Sequence, residues 1–167
     1  TYGMHIDVNG GATLGASNQF TNTGTLNISD GTQYAMYISG FSSRPSYFTN
    51  EGDLNIEDMD YIAYANSNGT FTQTSAGTTS GYGILKQIGT VNMDGTFETS
   101  GSDPEHISLE VGGGSTTFDL SSAVFNLRAA GTAGKGVAGG NDYVNILGSA
   151  TLAGSIFNIS FEGGYTP

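Results

Sequence analysis

The chain has 167 residues, four of them basic and 15 acidic, for a formal net charge of -11 at pH 7. That balance leaves no electrostatic footprint for a nucleic acid or an anionic lipid surface, and no apolar run approaches the roughly 18 residues of a membrane span. Cysteine and tryptophan are absent, proline is scarce at three, and the 27 glycines are scattered among Asn, Ser and Thr, which is turn punctuation rather than collagen or a disordered linker.

In chain order, the first 31 residues read as short strands at 4–8, 12–14 and 25–28, separated by Gly-Gly and Asn-rich turns. Residues 33–39, QYAMYIS, form an aromatic-rich strand, and 40–46, GFSSRPS, a loop. A second aromatic strand, YIAYAN, is expected at 61–66, and TFTQT at 70–74 forms another inside the polar stretch 67–83. Residues 101–105 (GSDPE) and 111–115 (VGGGS) read as turns, and 131–140 (GTAGKGVAGG) as an exposed, mobile loop. No window of 11 or more residues keeps an uninterrupted helical period, whereas two-residue alternation recurs, as in HIDV at 5–8 and TFDL at 117–120. The chain is therefore expected to be all β.

One phrase is written twice. TNTGTLNIS at 21–29 and TNEGDLNIE at 49–57 agree at six positions, 28 residues apart, and each is followed by one of the aromatic strands. The apolar-Asn-apolar end of the phrase recurs at 26–28, 54–56, 91–93, 125–127, 144–146 and 157–159, at intervals of 28, 37, 34, 19 and 13. Each triplet places two apolar side chains on one face of a strand and Asn on the other. Similar strands at unequal spacing predict a stack of coils joined by loops of varying length, because each coil of a solenoid buries its apolar face only against its neighbours. The expected fold is one parallel β-solenoid domain of about six to eight irregular coils; a β-sandwich over part of the chain, notably 67–89, is the competing reading. In register, the recurring asparagines would form hydrogen-bonded ladders. Asn27, Asn68 and Asn158 also lie in N-x-[ST] sequences, which for the two in the triplets is read as coincidence rather than glycosylation.

The last 27 residues carry a resemblance. In NDYVNILGSATLAGSIFNISFEGGYTP (141–167), Asp142, Asn145-Ile146, Gly148, Ala150-Thr151-Leu152, Gly154, Asn158-Ile159 and Gly164-Tyr165-Thr166-Pro167 keep a pattern. That pattern resembles the end of the β-helical passenger region of bacterial autotransporters. One extra residue separates Gly154 from Asn158-Ile159, and Pro167 falls where such passengers continue into another strand and a membrane barrel. The resemblance implies a right-handed parallel β-helix, export to the cell surface, and a chain that is a segment or processed form of a longer protein. Lack of cysteine fits an exported bacterial surface protein. No catalytic residue is carried across, since the matched positions are structural.

The densest charge cluster is Glu51, Asp53, Glu57, Asp58 and Asp60. If the two copies of the repeat stack, Asp30 lies over Asp58 at about 4.8 Å, the spacing of paired strands. A hard cation would relieve that repulsion, so Asp30, Asp58 and Asp60 are the candidate Ca²⁺ ligands, against the plainer reading of a solvated acidic rim. GGNDYV at 139–144 lacks the middle Gly of the Ca²⁺-binding nonapeptide, and Gly134-Lys135 fails the phosphate-loop pattern, so both are loops. Asp58 with Asp60, near Arg44, is the one arrangement that suggests carbohydrate cleavage, and His5 and His106 have no partner motif; no enzyme is expected. Tyr34, Tyr37, Tyr61 and Tyr64 either pack on the coil or form a contact face for another subunit or a glycan. The function expected is an extracellular structural or adhesive module that associates with itself through exposed end strands. A glycan-binding or glycan-degrading domain and the inert stalk of a larger passenger are the alternatives.

Overall fold

The computed structural model describes residues 2–6, 18–29, 33–42, 44–57, 59–87, 91–99, 106–111, 117–135, 137 and 140–166. Among them are eighteen strands and no helix, and the strands come in six successive triplets. The first triplet is β1 (Tyr2–Ile6), β2 (Asn18–Asn22) and β3 (Thr25–Ile28), and the second β4 (Tyr34–Ile38), β5 (Ser46–Asn50) and β6 (Asp53–Ile56). The third is β7 (Tyr61–Ala65), β8 (Gly69–Gln73) and β9 (Thr78–Ser80), and the fourth β10 (Gly83–Gln87), β11 (Val91–Asn92) and β12 (Gly95–Glu98). The fifth is β13 (His106–Val111), β14 (Thr117–Asp119) and β15 (Ala123–Ala129), and the sixth β16 (Tyr143–Leu147), β17 (Ser149–Thr151) and β18 (Ile156–Phe161).

Corresponding strands of successive triplets pair in parallel, so the chain is a β-solenoid with three faces. The first face is one sheet, β1-β4-β7-β10-β13-β16, and the third another, β3-β6-β9-β12-β15-β18. The second face is split into β2-β5-β8 and β11-β14-β17, which among the described residues are joined by an isolated bridge between Gln73 and Met93. The coil count differs slightly from the expected six to eight, since pairing unbroken on all three faces does not run the full length. Coil length accounts for the break: third-face partners are 28 residues apart from Asn27 to Asn55 but only 18 from Ser80 to Glu98, leaving β11 little chain with which to follow β8. The described part of that stretch, 67–87, stays in the solenoid, since β8 pairs with β5, β9 with β6, and β10 with β7, which removes the sandwich reading there.

The doubled phrase has a positional explanation. Its Leu26 and Leu54, and Ile28 and Ile56, pair in register and point inward, with Leu54 and Ile56 fully buried. Gly24 and Gly52 form the corner before the third face; a Cβ on Gly52 would lie 2.2 Å from the Gly24 carbonyl oxygen, so stacked coils can turn here only on glycine. Inward positions of the third face continue as Thr79, Phe97, Phe125 and Phe157, with Phe97 to Phe125 at 5.5 Å and Phe125 to Phe157 at 5.0 Å between ring centroids. On the second face, Phe20, Phe48 and Phe71 stack at 5.4 and 5.6 Å. Each buried phenylalanine stabilises the stack by about 1.5–3 kcal/mol through area alone, and the offset stacking adds to it.

Sequence expectations and structure differ locally. The first strand starts at Tyr2 rather than Met4, while positions 7–8, the strand expected at 12–14, the turn at 101–105 and all but Val111 of the turn at 111–115 lie outside the described residues. The six triplets are not equivalent: those at 26, 54, 125 and 157 lie on the third face, 144–146 on the first, and 91–93 on the second, so part of the uneven spacing is a change of face. The glycine-rich loop at 131–140 is exposed at 132–135 and 137 but buried at Gly140, and is stitched by Ala130 N–H to Gly140 O and Asn141 N–H to Gly134 O, both 2.8 Å.

Candidate functional site

Four features could carry function: an aromatic patch, two polar ladders, a buried ion pair, and the end of the stack.

The aromatic patch is built by a slip in alternation. Tyr34 and Tyr37 are three residues apart and would point to opposite faces of a regular strand. In β4 and β7, however, two consecutive residues are buried, Ala35-Met36 and Ile62-Ala63, so that Tyr34, Tyr37, Tyr61 and Tyr64 all reach the outer surface half-buried. Against β10 the pairing shifts by one residue between Ile84 and Leu85, which marks the bulge. Ring centroids lie 4.8 Å apart for Tyr34–Tyr61 and 5.5 Å for Tyr37–Tyr64, the latter parallel within 1°. Tyr34 touches the other two at 5.7 and 5.5 Å, so the four rings make one patch. Tyr61 also lines a shallow cleft of about 350 Å³ with Met59, Asp60, Tyr82, Gly83 and Ile84.

The outer ladder runs along the third face. Asn55 Nδ2 donates to Asn27 Oδ1 at 2.7 Å, Ser80 Oγ to Glu98 Oε1 at 2.7 Å, Asn126 Nδ2 to Glu98 Oε2 at 3.4 Å, and Asn158 Nδ2 to Asn126 Oδ1 at 3.0 Å. A second, buried ladder was not legible in the triplets. Asn22 Nδ2 donates to Asn50 Oδ1 at 2.9 Å and Asn50 Nδ2 to Gln73 Oε1 at 3.3 Å. Each amide also donates to a carbonyl of the next coil: Asn22 to Asp53 O, Asn50 to Thr78 O and Gln73 to Thr96 O, at 2.9, 3.0 and 2.8 Å. The Thr79 hydroxyl completes the set by donating to Gln73 Oε1. The one sequence signal for this ladder is the Thr-Asn pair that opens both copies of the phrase.

Asp142, its side chain fully buried, pins the glycine-rich loop. It accepts from Arg128 Nε at 3.0 Å, Arg128 Nη2 at 3.2 Å, the Arg128 backbone N–H at 2.7 Å and the Thr99 hydroxyl. This pairing is complete within the fold and spends the guanidinium structurally.

The sequence-derived metal ligands are only partly in view. Asp30 and Asp58 lie outside the described residues, and Asp60 is exposed at the bend before β7. The stacking that motivated them does occur, since β3 pairs with β6 and the Glu57 N–H donates to Ile28 O. Among the described residues no three His, Cys, Asp or Glu side chains converge, and no helix is long and apolar enough to cross a membrane. One described carboxylate has a displaced titration: hydrogen bonds from the Ser121 side chain and backbone hold Asp119 below the usual range.

Searches against protein-family models, curated proteins and solved structures returned no match.

At the end of the stack, no strand among the described residues pairs with the outer edges of β16, β17 or β18. On β18, Ile156, Phe157, Ile159 and Phe161 remain 52, 45, 58 and 54% exposed. Glycines serve the turns of the last described coil: Gly148, Gly154, Gly163 and Gly164 have φ of +138°, +96°, +60° and +75°.

Proposed function

We propose that this protein is an extracellular structural or adhesive module, a β-solenoid building block that acts through its length and its ends rather than through an active site. One observation carries the reading: two parallel sheets run unbroken through six strands each, a rod that presents long outer faces. Open edges of such sheets pair readily with further strands. The acidic surface keeps such rods soluble, and the resemblance of residues 141–167 to autotransporter passengers supports placement at a bacterial cell surface. Size-exclusion chromatography with light scattering, combined with negative-stain imaging, tests it. Oligomers or filaments that grow with concentration are expected, and a strictly monomeric protein across the micromolar range refutes the reading. Repeating the measurement with Ca²⁺ and with EDTA asks whether Asp30, Asp58 and Asp60 form a metal-dependent joint.

A second reading rests on the tyrosine patch. Four rings beside the cleft of Asp60, Tyr61 and Tyr82 resemble a platform for stacking sugar rings. A glycan array, with Tyr61→Ala and Tyr64→Ala as controls, separates this role from assembly. The inert stalk of a longer passenger is the outcome if both tests are silent.

A further inference from the structure

One connection sets neighbouring coils apart. From β7 to β8 the chain spends three residues, 66–68, but from β4 to β5 it spends seven, 39–45. The surplus folds as a tight hairpin: Phe41 N–H donates to Arg44 O at 3.0 Å and Arg44 N–H to Phe41 O at 2.8 Å, an antiparallel pair. Residues paired in this way project their side chains from the same side of the ribbon. The base of the hairpin is bolted to the next coil. Asn66 Oδ1 accepts from Gly40 N–H at 3.3 Å, Asn66 Nδ2 donates to Gly40 O at 3.4 Å, and Ser46 N–H donates to Asn68 O at 3.0 Å. A Cβ on Gly40 would lie 2.7 Å from Asn68 O and 2.8 Å from Ser46 N, so only glycine lets the hairpin seat this closely.

What this hairpin displays differs from the rest of the surface. Phe41 is 58% exposed, and Tyr47, three residues beyond Arg44 on β5, is 36% exposed. Neither ring stacks on another among the described residues, so both keep free faces, whereas Tyr37 and Tyr64 turn theirs on each other. Arg44 lies between the two in sequence. Of the other basic residues, Arg128 is committed to Asp142, the Lys135 ammonium lies 4.7 Å from the Tyr143 ring centroid, and Lys86 is engaged within the fold. The Arg44 guanidinium has neither a hydrogen bond nor an ion pair among the described residues, in a chain with 15 acidic side chains.

We propose that the hairpin of Phe41 and Arg44, together with Tyr47, is a binding site for a glycan that ends in a carboxylated sugar. The apolar face of the sugar stacks on the free aromatic faces, and its carboxylate takes the two-pronged guanidinium of Arg44. A peptide fits less well. Strand addition needs an open edge, and here the backbone groups of Phe41 and Arg44 are bonded to each other while β5 is flanked by β2 and β8. The net charge of -11 limits the charge of the ligand: one carboxylate reaches Arg44 at short range, but a polyanion meets repulsion from the whole chain. This site is separate from the tyrosine patch and does not require assembly.

The test is an array of oligosaccharides in matched sets of three, ending in a uronic acid, in the methyl ester of that acid, and in the neutral hexose. The protein is expected to hold the acid about tenfold more tightly than the other two, the lower range for hydrogen bonds to a charged group. Arg44→Gln is expected to bring the acid down to the level of the ester, Arg44→Lys to recover only part of the gap, and Phe41→Ala to weaken all three together. Circular dichroism is expected to be unchanged in each variant, since neither side chain has a polar or ring partner among the described residues. Equal binding of the three forms overturns the role of Arg44. Binding that Tyr61→Ala removes and Phe41→Ala does not overturns this site while leaving the tyrosine reading intact, and no binding of any glycan overturns both. Tighter capture of a polyglutamate peptide or a sulfated polysaccharide than of the acid-ended glycan overturns the choice of ligand.

Discussion

Replacing Asn50 by alanine isolates the energetic role of the buried ladder. In the native fold the Asn50 side chain is fully buried, accepts from Asn22, and donates to Gln73 Oε1 and Thr78 O. Truncation leaves Asn22 Nδ2 its bond to Asp53 O and leaves Gln73 Oε1 its bond from Thr79, so those two groups retain a partner. The Thr78 carbonyl loses its side-chain donor, and a small void opens beside the corner. A buried polar group deprived of its partner costs about 1–3 kcal/mol, and the lost side-chain bonds add about 1 kcal/mol, so the expected destabilisation is about 2–4 kcal/mol. Asn55→Ala in the same coil is the internal comparison. It removes an exposed rung in which water replaces the lost partner, and the expected loss is at most about 0.5 kcal/mol. Urea unfolding followed by circular dichroism measures both, with the slope m checked for constancy. Equal losses for the two variants, or a loss below about 1 kcal/mol for Asn50→Ala, refute the argument that burial separates the ladders.

Asp142→Ala strands the Arg128 guanidinium against the core side of the glycine-rich loop, and a loss of about 3–5 kcal/mol is expected in the same unfolding assay; a change under about 1 kcal/mol would mean that the guanidinium relaxes into water. Gly52→Ala places a methyl on the Gly24 carbonyl and is expected to lower the melting temperature, whereas Gly24→Ala, with open space around the added carbon, is expected to be far milder; the reverse order contradicts the corner argument. Because the folded-state pKa of Asp119 is lowered, its ionised form stabilises the fold above the ordinary carboxylate range, and that contribution disappears as pH falls through the folded value. Melting temperatures of Asp119→Asn and the parent chain are therefore expected to converge on acidification, and a gap that widens towards low pH disproves the assignment.

The sequence by itself determined the class of fold. Dispersed glycines, two-residue alternation and a phrase repeated at 28 residues require β-coils that bury apolar side chains against copies of themselves, and Leu26, Ile28, Leu54 and Ile56 point inward as that alternation dictates. The outward asparagine ladder was equally legible, because an Asn between two inward residues has only the outer face to occupy. Tertiary structure decided what alternation cannot encode. Asn22 and Asn50 lie inside, against their polarity, because stacking supplies carbonyl and amide partners within about 3 Å that no isolated strand possesses. Tyr34 and Tyr37 share a face because two consecutive residues between them, Ala35 and Met36, are both buried, which breaks the two-residue period. The triplets at 91–93 and 144–146 look like their counterparts yet occupy other faces, since local periodicity fixes which side of a strand a residue takes and only the path of each connecting loop fixes which sheet that strand joins.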